Sequence, residues 1–121
     1  MFCVALENGG AGLWYGRFVD LPGTHARARS RPEILKELRE ELVYHADWLR
    51  RHGERPPAIG GAEIGVAEEM RGMRELGESG GEVALFGYDL RPVSAEELGR
   101  FVRLMAYNRG DLLGLIAAIP E

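Results

Sequence analysis

The chain opens with an alternation. Phe2, Val4 and Leu6 fall on one side of an extended backbone, with Cys3 and Ala5 on the other, which predicts a short strand. Glu-Asn-Gly-Gly-Ala-Gly (7–12) is turn chemistry, because Asn and Gly accept positive φ at little cost. Residues 13–19 then alternate again, with Trp14, Gly16 and Phe18 sharing a face, so the two segments read as a hairpin. Asp20-Leu21-Pro22-Gly23 turns the chain, Pro presetting φ and Gly supplying the positive φ of a type II turn. Residues 24–29 form a third, more polar strand.

The period then changes from two to 3.6. Ile34, Leu35, Leu38, Leu42, Ala46 and Leu49 recur at three- and four-residue intervals and give a helix one apolar stripe. Its ends are punctuated: Ser30 and Glu33 have capping-box spacing, Pro32 lies in the first turn, Gly53 follows the last turn, and Pro56-Pro57 forbid continuation. Arg50, Arg51 and His52 oppose the helix dipole. Residues 62–70 read as a fourth strand with Ile64 and Val66 facing inward, residues 72–81 as a polar loop, and residues 82–88 as a further short strand. Ser94 and Glu97 repeat the capping-box spacing and open a second long helix reaching about residue 118. Its apolar positions are Leu98, Phe101, Val102, Met105, Leu112, Leu115, Ile116 and Ile119, beside a stripe of small residues, Ala106, Gly110, Gly114 and Ala117. The expectation is an α+β fold: a β-β-β-α-β domain over residues 1–70, a loop with a short strand over 71–93, and a C-terminal helical appendage over 94–121.

Composition narrows the classes. With 121 residues, 45% hydrophobic and 28% charged, the chain can bury a modest core. A net charge of -4 argues against nucleic-acid binding through overall charge. The single Cys3 excludes an internal disulfide and a cysteine-based zinc site and fits a reducing, cytoplasmic setting. No apolar run approaches a membrane span, and the N-terminus lacks the basic region of a signal peptide. Lys36 is the sole lysine among 15 basic residues, a bias that codon usage explains as readily as ion pairing.

The string Leu-Trp-Tyr-Gly-Arg-Phe-Val-Asp-Leu-Pro-Gly (13–23), followed by a polar strand and a capped helix, resembles the HicB-like antitoxin domain over roughly residues 2–70. Trp14, Phe18, Asp20, Leu21, Pro22, Gly23, Ser30 and Glu33 carry the resemblance, while Thr24 stands where the family usually has Cys. The resemblance implies a truncated ribonuclease-H-like sheet without catalytic machinery, and a partner in the form of a small ribonuclease toxin that the domain binds and masks. Proteins of this kind usually continue into a helix-turn-helix or ribbon-helix-helix. Residues 71–121 show neither, so direct DNA binding is not expected. Leu-Met-Ala-Tyr-Asn-Arg-Gly-Asp-Leu-Leu (104–113) instead resembles the opening helix of a DinB-like bundle; no His follows His52, so that resemblance implies no metal.

Candidate chemistry is sparse. His45 and His52 are seven apart on one helix, whereas a metal site prefers i, i+3 or i, i+4 pairs with further ligands. Asp20, Asp47 and Glu68 are the carboxylates a nuclease would recruit, yet each has a local structural explanation. No catalytic, cofactor-binding or metal-ligating residue is assigned. Two partner-binding surfaces are. His25, Arg27, Arg29 and Arg31 alternate and project as a basic row from the third strand. That row reads first as a solvent-facing edge whose charges discourage aggregation, and alternatively as a dock for an acidic partner or RNA phosphates. On the C-terminal helix, Leu98, Phe101, Met105, Gly110, Leu112 and Gly114 mark two contact faces, which suggests a homo-oligomer. Three readings follow: a HicB-like antitoxin-type binding protein that self-assembles, a structural protein of the same fold without a toxin partner, and a divergent nuclease.

Overall fold

The computed structural model describes residues 1–61, 63–78 and 81–120. It comprises two units, Met1–Leu90 and a second beginning at Arg91. The first is mixed α+β: β1 (Phe2–Gly9), β2 (Trp14–Phe18), β3 (His25–Ala28), α1 (Arg31–Arg51), β4 (Ile64–Met73) and a short 3-10 turn at Gly87–Leu90. The second is one helix, α2 (Ala95–Ala117).

The sheet order is β3-β2-β1-β4. β1 runs antiparallel to β2, and β2 antiparallel to β3, as two tight turns dictate. The second of these has Pro22 ahead of Gly23 (φ 88°), closed by the Thr24 N–H donating to the Leu21 carbonyl at 3.1 Å. β4 pairs parallel to β1, a pairing that needs a crossover, and α1 supplies it. Ser30 caps α1 through its hydroxyl, which accepts the Glu33 N–H at 3.3 Å. At the other end the Glu54 N–H reaches the Leu49 carbonyl at 3.0 Å and the Gly53 N–H the Arg50 carbonyl at 3.1 Å. With Gly53 at φ 77° these bonds form a Schellman motif, as the glycine predicted.

One sheet face is the main core. Val4 and Leu6 of β1 and Trp14 and Phe18 of β2 meet Ile34, Leu38 and Leu42 of α1, with Ala26, Ala28, Ile64 and Val66 packed at the margins. Each fully buried Leu or Ile contributes about 1.5–3 kcal/mol at most, so this stripe dominates the stability of the unit. β4 runs three residues beyond the expected end at Met70, and Ala62 lies outside the described residues.

The other face is covered by the segment that follows β4. Met73, Ala84 and Phe86 close over Ala5, with Val19, Leu76 and Tyr88 around them. Residues 71–90 thus belong to the first unit. The short strand expected over 82–88 does not form. Its in-out alternation is real, since Ala84 and Phe86 are buried while Val83 and Leu85 are exposed. Its amides are taken by carboxylates instead of a neighbouring strand: Ala84 N–H by Glu7 at 3.3 Å, Phe86 N–H by Asp89 at 2.9 Å, and Gly87 N–H by both oxygens of Glu68 at 2.9 and 3.0 Å. Alternation marks a chain lying on an apolar surface; it does not by itself make a ladder.

Candidate interaction surfaces

β3 is an edge strand, and its outward residues His25 and Arg27 are exposed on the sheet face opposite α1. The basic row does not continue as expected. Arg29 lies past the end of β3, where its backbone N–H donates to Glu33 Oε2 at 3.3 Å. Arg31 is the first residue of α1, so the change from strand to helix takes it out of the alternation. Its Nε donates to Glu69 Oε1 at 2.8 Å. Glu69 also accepts from Arg71, whose guanidinium lies 5.5 Å from the Trp14 ring centroid. The Arg31 hydrogen bond, then that of Arg71, holds the Glu69 carboxyl below the usual glutamate range. Of the four residues, only His25 and Arg27 form a side-by-side exposed pair on the strand.

A second cluster, not anticipated from the sequence, lies beneath residues 84–89. Glu7 is buried in β1, and its carboxylate accepts the Ala84 N–H. Arg17 of β2 stands 4.0 Å from Glu7 and donates to Asp89 at 3.2 Å and to the Ala84 carbonyl at 3.4 Å. Its guanidinium lies 5.1 Å from the Phe86 ring centroid and 5.7 Å from that of Tyr88. Burial raises the Tyr88 hydroxyl pKa. These groups pin the covering segment to the sheet. The signal was present: Arg17 is charged inside an otherwise largely aromatic strand, and Glu7 directly follows the apolar run 2–6 within β1.

The residues a nuclease would need are not brought together. Glu68 caps Gly87, Asp47 pairs with Arg50 at 2.6 Å on the exposed side of α1, and Asp20 is exposed in its turn. Among the described residues, no three His, Cys, Asp or Glu side chains converge as metal ligands. Tyr44, Asp47, Arg50 and Arg51 line an open groove of about 410 Å³ on the outer side of α1. His45 stacks on Trp48 at 5.6 Å, and Trp48 meets His52 edge-on at 4.9 Å, an aromatic ladder along the helix.

On α2 the picture is simpler. Ser94 and Glu97 exchange side-chain and backbone hydrogen bonds at 3.0 and 3.1 Å, the full capping box, and Arg91 adds a 3.0 Å pair to Glu97. Leu98, Val102, Met105, Leu112, Leu113, Leu115 and Ile116 are each more than half exposed, whereas Phe101 is half-buried. A Cβ added at Gly110 or Gly114 would meet open space. No described helix is long and apolar enough to cross a membrane. Comparison of the chain with protein-family models, with curated proteins and with solved structures finds no match.

Proposed function

We propose that this chain is a non-catalytic binding protein of the HicB-like antitoxin kind, which assembles with copies of itself through α2 and masks a small ribonuclease toxin. The observation that carries the reading is the apolar face of α2, too large and continuous to be left in water without a partner. The antitoxin half is supported by the arrangement of the motif residues. The Asp20–Gly23 turn joins the hairpin to an edge strand, and the Ser30-capped helix crosses a mixed sheet, in keeping with a truncated ribonuclease-H-like domain. The exposed His25 and Arg27 offer a toxin an edge with positive charge. The absence of catalysis is supported by the carboxylates, since Glu68 and Asp47 are engaged in structural bonds. The lone Cys3 suits a reducing cytoplasm.

Affinity capture of the full-length chain from native cells, with mass spectrometry of what co-purifies, tests the masking role. Stoichiometric recovery of a small second protein supports it. Recovery of the chain alone favours the second reading, an assembly protein of this fold with no toxin, which keeps the role of α2 and drops the masking.

A further inference from the structure

The exposed apolar residues of α2 have a period that selects both occupant and orientation. Leu98, Met105 and Leu112 are spaced seven apart, with Ile119 continuing the series just past the Ala118 cap. With these as heptad a positions, the d positions are Phe101, Asn108 and Leu115. A repeat of 3.5 residues is the pattern that two copies of one helix satisfy by winding around each other. The a residues are 57–69% exposed. Among the described residues of this segment, seven large apolar side chains at a, d and e positions are more than half exposed. At an order of 50 Å² each, they would remove roughly 350 Å² per copy from water. That is somewhat under half of the ~800 Å² per partner of a standard interface. Flanking stems along a helix roughly 34 Å long supply the remainder.

Asn108 decides the orientation. It is exposed, and it is the polar member of the a/d series. In antiparallel pairs, a layers face d layers, so Asn108 would lie against Leu98, Met105 or Leu112, with its amide buried and unanswered. Parallel pairs shifted by a heptad put it against Phe101 or Leu115. Only the parallel, in-register pair sets Asn108 beside Asn108 of the second copy, where each amide both donates and accepts.

We infer that α2 pairs with the α2 of a second copy as a parallel, in-register, two-stranded coiled coil whose register is set by an Asn108 layer. This rests on the self-assembly reading and goes beyond it. The test uses the full chain carrying Cys3→Ala, with Leu98→Cys and Leu115→Cys made separately and then mixed. Each is oxidised under conditions that allow subunit exchange, and mass is followed by light scattering. The expected result is dimer mass, with 98–98 and 115–115 disulfides from each variant alone and no 98–115 product from the mixture. Mixed disulfides only, or a mass above dimer, overturn the inference while leaving self-assembly standing. Dimer mass without any crosslink places the interface elsewhere and overturns both. Monomer mass at every concentration removes the self-assembly reading itself. In Asn108→Leu, dimers form at lower concentration and 98–115 crosslinks appear, because the register constraint is gone; crosslinks unchanged from the parent would deny Asn108 its role.

Discussion

Gly16 shows how strongly single positions are specified. Its backbone needs no positive φ, yet an added Cβ would lie 2.6 Å from Leu38 and 3.0 Å from Leu6. The strand is bare there so that α1 can approach it. Gly16→Ala should cost about 1–3 kcal/mol through overpacking, read as a lower urea midpoint with an unchanged slope. Glu7 presents the converse problem, a buried carboxylate. Glu7→Ala would orphan the Ala84 N–H, at a cost of about 1–3 kcal/mol. Hydrogen exchange at residues 84–87 should accelerate well before exchange in α1 does. The Arg31–Glu69 bond supplies a pH handle. The folded carboxyl has a lowered pKa, so its contribution is complete above the ordinary glutamate value of about 4.3 and is lost as pH falls through the folded value. Glu69→Gln should therefore be less stable than the parent at neutral pH, with the gap closing in acid; a gap independent of pH would mean that charge is not what Arg31 recognises. Gly16 was legible as a position on a face but not as a contact. Which helix residue lies over it depends on where α1 crosses, and that is settled by pairings distant in sequence.

At the scale of elements, the two helices form for different reasons. α1 has Ile34, Leu38 and Leu49 fully buried, so its cap only trims the ends. α2 carries Gly99, Gly110 and Gly114, each about 1 kcal/mol unfavourable relative to Ala, and exposes most of its apolar residues. It therefore leans on its capping box and on whatever covers it. Ser94→Ala removes one of the two reciprocal bonds and should cost about 1 kcal/mol. Its effect on helicity by circular dichroism should grow on dilution, because self-association is what otherwise holds α2; an effect independent of concentration would mean that the helix is stabilised within its own chain. Both helices were legible because caps and apolar periods are local. The expected strand at 82–88 failed for a non-local reason: Glu7 and Glu68, distant in sequence, claim amides that a strand would need. Arg31 failed for a local one, because Ser30 caps the helix immediately before it and moves it off the strand's period.

For the whole molecule, the decisive feature is that both buried clusters draw only on residues up to Tyr88. The sequence pattern suggests a boundary near residue 70, because a Gly-rich polar stretch separates Met73 from the short alternation that holds Ala84 and Phe86. Their shared role emerges only once β4 has delivered them to the second sheet face. A chain ending after Leu90 keeps the sheet, α1, the covering segment and the Glu7–Arg17–Asp89 cluster. It should unfold cooperatively in urea, with coincident transitions by fluorescence of Trp14 and Trp48 and by far-ultraviolet dichroism. A chain ending after residue 70 lacks the cover, exposes Ala5 and Val19, and leaves Glu7 without the Ala84 amide. Its transition should be broad or absent, because a small domain has little stability to spare. The same two truncations separate folding from assembly. The 90-residue form should be monomeric by light scattering at concentrations where the full chain associates. If it kept the native mass, the interface would lie on the sheet unit, and the exposed β3 edge, with His25 and Arg27, would become the surface to test next.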